Sequence, residues 1–232
     1  MNSIRSELVS ILGLETNKQI FWNLGSEELV ARTVSSGQGR LTDKGALAIN
    51  TGEFTGRSPK DRFIVKDVLT EEAVWWGNVN IPFSPEAFDK LWEKMKNYAA
   101  QKDLYVRDAF ACASDTYRLP LRVVTEYAWS NLFAFNMFIR PTEAELADFS
   151  PEWTVMCFPE FLANPEEDGT RQSNFAILNF SKKCILIGGT GYTGEIKKGI
   201  FSALNFILPH QKKVLSMHCS ANIGKPQRAN TP

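Results

Sequence analysis

The chain has 232 residues with 26 basic and 26 acidic side chains, so its formal net charge is zero and its isoelectric point is near 6.8. Hydrophobic residues make up 44% and charged residues 22% of the sequence, as in ordinary soluble globular proteins. This balance gives no reason to expect nucleic acid or a membrane as a partner. No apolar run reaches the roughly 18 residues of a membrane span, and residues 1–18 lack the pattern of a secretory signal.

The four cysteines contain no CxxC pair, which excludes zinc-ribbon and thioredoxin-like motifs. They are Cys112, Cys157, Cys184 and Cys219, each within an apolar run. Cysteine in such a run usually behaves as a small buried hydrophobe, and unpaired cysteines favour a reducing compartment. We therefore expect free thiols and a cytoplasmic protein.

The first half of the chain is predicted to mix short helices and strands. The predicted elements are a helix within residues 1–18, a helix from Ser26 to near Gly37, strands over 45–50 and 62–66, and a helix from Ser84. The last has the strongest signals, because Ser84 is a good N-cap and Pro85 a good first helical residue. Its apolar face consists of Phe88, Leu91, Trp92 and Met95.

The second half continues the mixture without strict alternation of strand and helix. We predict strands over 104–113 and 121–125, a buried helix over 127–138, polar connections over 141–152 and 163–173, paired strands over 175–180 and 184–187, a helix over 196–208 stopped by Pro209, and a last strand over 214–219. This order predicts a mixed α/β fold with α+β character.

An arginine loop, residues 51–61 (TGEFTGRSPKD), is the first segment that suggests chemistry. Ser58 precedes a proline, which favours extended backbone, and Gly52 and Gly56 permit turns. Such a loop can present Arg57 outward, and a planar guanidinium matches two oxygens of a carboxylate or phosphate at once. Taken alone, the same pattern fits an ordinary basic surface loop equally well.

A glycine loop, residues 188–194 (GGTGYTG), lies between a predicted strand and a predicted helix. It matches G-x-G-x-x-G, but a dinucleotide site also needs an acid about 20 residues later, and no acid follows Glu195. Glu195 also stands where a phosphate-binding P-loop needs lysine. What remains is a turn that presents Tyr192 and begins a helix.

Two further segments carry candidate ligands. Lys197 and Lys198 are adjacent, and neighbouring helical residues point about 100° apart, so only one of them can face a given site. The pair is either solvated or contains a lysine whose pKa is lowered by desolvation or nearby positive charge. His218 lies in a predicted apolar strand, where it is either a core residue or a metal ligand through a neutral imidazole nitrogen.

Together these segments resemble the ATP-dependent phosphoenolpyruvate carboxykinase family. The matching runs are residues 51–61, 136–141 (NMFIRP), 188–201 (GGTGYTGEIKKGIF) and 216–222 (SMHCSAN), in the order found in the family. The resemblance implies the N-terminal domain of a carboxykinase-like fold. It places a substrate-side domain at residues 1–213 and the start of a nucleotide-binding domain at residues 214–232.

The resemblance also implies an activity, which is the conversion of oxaloacetate and ATP to phosphoenolpyruvate, carbon dioxide and ADP in gluconeogenesis by a monomeric enzyme. Arg57 is then the catalytic arginine that holds the substrate carboxylate, and Tyr192 also contacts the substrate. Lys198 resembles a catalytic lysine that binds substrate and ligates Mn²⁺ as a neutral amine, and His218 resembles the second ligand of that metal. Both are also implied to contact ATP, which Mg²⁺ accompanies.

The sequence departs from the family pattern in residues 225–232. Family members continue after Ser-Ala-Asn with a phosphate-binding loop of the form GLSGTGKTT and an acidic metal-binding segment, which residues 225–232 do not resemble. The 37 residues after Glu195 contain six basic and no acidic residues, as a cut through an active cleft would leave. We therefore expect a truncated chain that is inactive alone. The alternatives are a non-catalytic dicarboxylate-binding domain or a fold remnant without a ligand.

Overall fold

A computed structural model describes residues 16–220, 222 and 224 of the chain. The strands are β1 (Ile20–Trp22), β2 (Gly39–Leu41), β3 (Leu47–Ile49), β4 (Arg62–Val65), β5 (Ile81–Phe83), β6 (Leu104–Ala111), β7 (Leu119–Thr125), β8 (Trp153–Phe158), β9 (Phe175–Asn179) and β10 (Cys184–Gly188). The helices are α1 (Ser26–Ser35), α2 (Pro85–Ala99), α3 (Ala128–Met137), α4 (Glu143–Ala147), α5 (Pro165–Asp168) and α6 (Gly194–Phe206), with 3₁₀ turns at Pro59–Asp61 and Asp115–Tyr117 and a π-helical turn at Ile207–Gln211.

Eight strands form one mixed sheet in the order β1-β6-β7-β8-β10-β9-β4-β5, and β2 and β3 form a separate hairpin. Only the β6–β7 and β9–β10 neighbours are antiparallel. The central strands β7, β8 and β10 are parallel to one another, so their carboxyl ends meet at the same edge of the sheet. The mixed α/β class expected from the sequence is confirmed.

Helices cover both faces of this sheet. Phe88, Leu91 and Met95 of α2 belong to the core on one face, and Ile196, Ile200 and Ala203 of α6 belong to the core on the other. Along β10 the side chains alternate, with Leu186 in the first core and Ile185 and Ile187 in the second. The sheet is therefore buried on both faces, which explains its nearly continuous apolar strands.

A buried ion pair joins the antiparallel strands β6 and β7. The guanidinium of Arg122 donates to both carboxylate oxygens of Asp108 at 2.7 and 3.1 Å, with 1% and 4% of the two side chains exposed. Trp22 Nε1 donates to Asp108 Oδ2 at 2.8 Å, and its ring lies 4.3 Å from the Arg122 guanidinium carbon. These contacts offset the cost of removing both charges from water.

The end of the described chain corrects two expectations. The α-helix ends at Phe206, and Pro209 lies inside the following π-helical turn instead of stopping a helix. Since proline has no N–H to donate, the turn closes with Lys212 N–H on the Ile207 carbonyl at 3.0 Å. The predicted strand over 214–219 is wrong, because this segment pairs with no strand among the described residues and exposes Leu215 by 76%.

Other elements went unpredicted. Strand β8 lies at the centre of the sheet, yet no strand was predicted over 153–158. The connections expected over 141–152 and 163–173 contain the short helices α4 and α5, and α4 begins with a capping box between Thr142 and Glu145. The helix expected within residues 1–18 rests on the spacing of Ile4, Leu8, Ile11 and Leu12, which lie outside the described residues.

The cysteine expectation holds in part. All four thiols are free. Cys157 and Cys184 are buried, whereas Cys112 is half-buried and Cys219 is exposed. Within the described residues, no helix has both the length and the apolar character needed to cross a bilayer.

The buried pair yields a stability prediction. Asp108→Ala should lower the free energy of unfolding by about 3–5 kcal/mol, because the Arg122 charge loses its carboxylate while remaining buried. Asp115→Ala is the matched control, since Asp115 is 88% exposed in its ion pair with Arg118 and its loss should cost less than about 1 kcal/mol. Urea denaturation measures both values. Equal losses in the two variants would contradict this account.

Candidate active site

The arginine loop connects β3 to β4. Thr51 Oγ1 donates to the Phe54 carbonyl at 3.0 Å, and Asn50 Oδ1 accepts from the Gly52 amide at 2.9 Å. Gly52 has φ +77°, a conformation that favours glycine. Arg57 is exposed and has no hydrogen bond or ion pair with any described residue, so its guanidinium is available to a ligand.

The far end of this loop is anchored by Asp61. Its carboxylate is 2% exposed and accepts from Arg171 Nε and Nη2, both at 2.8 Å, and from Gln172 Nε2 at 2.9 Å. A bidentate pair fixes direction as well as distance. The loop is thus tied at one end to the segment that precedes β9.

The glycine loop lies directly against the arginine loop. A Cβ atom on Gly191 would stand 2.6 Å from the Thr51 carbonyl oxygen, closer than any side chain could be. A Cβ on Gly194 would meet the Tyr192 ring at 2.4 Å, which shows that this half-buried ring packs over the first turn of α6. Within the described residues, the Tyr192 hydroxyl has no hydrogen-bond partner.

An ion pair between the half-buried Arg62 and the buried Glu195 joins the segments that follow the two loops. Glu195, in the first turn of α6, is 3% exposed, and its Oε2 lies 3.3 Å from Arg62 Nε, an ion-pair distance without good hydrogen-bond geometry. Burial raises the pKa of Glu195, while the Arg62 charge, the Ser58 amide and Arg57 act to lower it. Burial likewise lowers the pKa of Arg62, which Glu195 opposes.

Arg62 also holds the helix that carries the candidate lysine. Its Nη2 donates to the Lys198 carbonyl at 3.4 Å and to Ser202 Oγ at 3.2 Å. Together with Glu195, these contacts follow one face of α6 over two turns. Neither Glu195 nor Arg62 was predicted to have a role in the site. The sequence feature that could have identified Glu195 is its position as the last acidic residue of the chain, before a segment whose charged residues are all basic.

Of the two adjacent lysines, Lys197 is exposed and Lys198 is half-buried. The pKa of Lys198 is lowered by its partial burial and then by the positive charges of Arg57, Lys197 and Arg62. A lowered pKa makes a neutral amine more accessible near neutral pH. Arg57 and Lys198 therefore share one electrostatic environment although 141 positions separate them in the sequence.

His218 reaches the same region through an aromatic ring. Its imidazole is exposed and lies 5.3 Å from the Phe201 ring centroid, and Lys198 Nζ lies 5.3 Å from that same centroid. His218 is therefore neither in a strand nor buried in the core, as one interpretation of the sequence had it. The structure thus places Lys198 within electrostatic range of Arg57 and beside the same aromatic ring as His218, whereas no contact joins Arg57 to His218 among the described residues. Tyr192 lies on the loop that leads into α6.

The donor set fits part of a divalent-metal site. Lys198 and His218 both approach Phe201, and each offers a nitrogen donor when neutral. Among the described residues, no cluster of three His, Cys, Asp or Glu side chains could complete the coordination. Within the described residues, this open, positively charged surface therefore presents two nitrogen donors without a carboxylate or thiolate cluster beside them.

Fold and site together define an α/β protein with a positively charged surface where the arginine loop meets the glycine loop. The profile of the family described as phosphoenolpyruvate carboxykinase matches residues 18–231, and the chain belongs to this family. It is 63% identical over 226 residues to the phosphoenolpyruvate carboxykinase (ATP) of Flavobacterium johnsoniae and 62% identical over 209 residues to that of Christiangramia forsetii. A third relative, from Geobacillus kaustophilus, is 51% identical over 203 residues.

The matches cover most of this chain but a minor part of each relative. They include 97%, 90% and 87% of the chain against 42%, 39% and 38% of the respective relatives. The chain therefore spans about two fifths of the length of the curated relatives that it matches.

The buried carboxylate yields a pH prediction. Burial raises the pKa of Glu195 in the folded state above its value in the unfolded state. The stability that Glu195 contributes is therefore fully present below the unfolded pKa and is lost as pH rises through the folded pKa. Glutamine does not ionise, so Glu195→Gln should gain stability relative to wild type between roughly pH 5 and pH 8. Urea denaturation at both pH values measures this change. The exposed Glu53→Gln is the control, and a pH-independent difference for Glu195→Gln would refute the assignment.

Proposed function

We propose that this chain forms the organic-acid side of an ATP-dependent phosphoenolpyruvate carboxykinase. The observation that carries the proposal is a group of four cations, Arg57, Arg62, Lys197 and Lys198, gathered near one buried carboxylate. The excess positive charge suits a substrate with two carboxylates, such as oxaloacetate. Membership of the carboxykinase family supports the same reaction.

The reaction proceeds in two steps, with ATP as the phosphoryl donor. The carbon–carbon bond to the departing carboxylate breaks, which releases carbon dioxide and leaves an enolate. The enolate oxygen then takes the γ-phosphoryl group of ATP, giving phosphoenolpyruvate and ADP. Cations that are fixed before the reaction stabilise the developing charge without reorganising.

Each candidate residue then has a role suited to its surroundings. Arg57, which has no ion-pair partner among the described residues, holds the substrate carboxylate, and the ring edge of Tyr192 lies against the organic acid. Lys198 faces the substrate with its lowered pKa, and it approaches ATP together with His218. Lys198 and His218 would hold Mn²⁺, which when bound neutralises charge on enolate and phosphate oxygens; Mg²⁺ would accompany ATP.

Three further parts of the proposal follow from the family and the sequence. A substrate-side domain at residues 1–213 and a second domain beginning at residue 214 stay predictions, as does a monomeric state. A cytoplasmic location agrees with four free thiols.

A non-catalytic dicarboxylate-binding domain is the second candidate. It is favoured because these 232 residues contain no G-x-x-x-x-G-K-[S/T] loop to hold ATP phosphates. On either proposal, a polypeptide of this sequence should show no turnover of oxaloacetate with ATP. Robust turnover would refute that expectation.

Calorimetric titration with oxalate tests the organic-acid pocket that both candidates share. Arg57→Ala should weaken oxalate binding by roughly 10- to 100-fold, because a charge-assisted hydrogen-bonded pair contributes about 1.5–3 kcal/mol. Arg40→Ala removes an exposed arginine from the separate hairpin and should leave binding unchanged. Oxalate binding that is insensitive to Arg57→Ala would exclude the pocket.

A further inference from the structure

A second cleft, of about 750 Å³, opens beside the candidate active site. It lies on the α6 face of the sheet, between the neighbouring strands β4 and β9 and the segment 73–80. Neither Tyr192, Lys198 nor His218 lines it. Its size falls within the range of pockets for small organic ligands.

One end of this cleft is strongly basic. Arg57, Lys60 and Arg62 line it, and no Asp or Glu is present among the described residues that form its walls. Glu195 compensates the charge of Arg62, whereas Arg57 and Lys60 have no ion pair or hydrogen bond with any described residue. Two cations thus face the cleft with unused hydrogen-bond donors.

The other end is apolar and aromatic. Its floor is formed by the buried side chains of Leu178, Phe180 and Phe206. Its rim carries Trp75 and Val79, which are 78% and 71% exposed although both are large hydrophobic residues. Exposed apolar side chains around a concave surface are typical of binding sites.

The rim is held in place by its own backbone contacts. Asn80 Nδ2 donates to the Trp75 carbonyl at 2.9 Å, and the Gly77 amide donates to the Asn80 carbonyl at 3.3 Å. Ala73 and Val74 also pack against the α6 core. A wall that is already ordered loses little entropy when a ligand binds.

We propose that this cleft binds a small anionic molecule with an aromatic or similarly sized apolar body. The anion would lie against Arg57 and Lys60, and the apolar body would cover Phe206 and pack under Trp75 and Val79. The basic end of the cleft would then bind the anionic group, and the apolar end would bind the apolar body. Binding itself does not depend on the proposed enzymatic function, but competition with the organic acid for Arg57 does.

The fluorescent probe 8-anilinonaphthalene-1-sulfonate has this chemistry and tests the proposal on the 232-residue chain. We expect saturable binding of one probe per chain. The uncharged analogue N-phenyl-1-naphthylamine should bind about tenfold more weakly, because it lacks the charge-assisted contacts. Lys60→Ala should weaken probe binding by about five- to tenfold, and Val79→Asp by at least about tenfold, since it removes apolar contact and repels the anion.

Matched controls separate this cleft from general surface stickiness. Lys44→Ala removes an exposed lysine elsewhere, and Val68→Asp changes a valine that is 98% exposed and lies outside the cleft. Neither should alter the affinity. Unsaturable binding, equal binding of the uncharged analogue, equal losses in the controls, or an affinity that falls as the chain self-associates would each overturn the proposal.

A competition experiment distinguishes the cleft proposal from the proposed enzymatic function. Oxalate should displace the probe through Arg57, and Lys60→Ala should leave oxalate affinity unchanged. If the chain binds no oxalate but still binds the probe with the stated dependence on Lys60 and Val79, the enzymatic proposal fails and the cleft assignment stands. If oxalate binds and the probe does not, the reverse holds.

Discussion

The ion pair between Glu195 and Arg62 is the contact on which the candidate site depends. Arg62 begins β4 directly after the arginine loop, and Glu195 is the second residue of α6, directly after the glycine loop. Burying one carboxylate without a partner would cost several kcal/mol, so the pair ties the two segments to each other. The additional contacts of Arg62 with the Lys198 carbonyl and Ser202 extend the same constraint along the helix.

This arrangement leaves the site with more positive than negative charge. Arg57, Lys197 and Lys198 gather around a pair that is already neutral, and no described carboxylate forms an ion pair with any of the three. Partial burial and then repulsion by Arg57, Lys197 and Arg62 lower the pKa of Lys198. The excess positive charge favours an anionic ligand. The protein tolerates the repulsion because Arg57 and Lys197 remain exposed to solvent. The sheet, with helices on both faces, supplies the rigid support on which these charges are held.

Local chemistry was sufficient to predict some elements and not others. Helix α2 was readable because Ser84 accepts a capping hydrogen bond from the Ala87 amide and its apolar face has helical period. Strand β8 (WTVMCF) is buried on both faces, so it lacks the alternation that marks a half-exposed strand. The segment 214–219 has apolar composition but finds no neighbouring strand among the described residues, and composition alone cannot supply one.

The same limit applies to the candidate site. Arg57 and Lys198 were selected through the family resemblance, because local pattern alone fitted an ordinary surface loop and a solvated lysine pair equally well. The importance of Glu195 and Arg62 comes from burial and from a contact between residues 133 positions apart, which no local pattern encodes. The second cleft is likewise assembled from the arginine loop, the segment 73–80 and α6, and only the folded chain brings these together.

The central claim is that the ion pair between Glu195 and Arg62 orders the arginine loop beside Lys198. Backbone ¹⁵N heteronuclear NOE values at Gly56 and Arg57 measure that order on the picosecond to nanosecond timescale. The account predicts that Arg62→Met and Glu195→Gln each lower these values, and that the double variant lowers them no further, because the two residues act as one unit. Unchanged values in the single variants, or additive losses in the double variant, would contradict it.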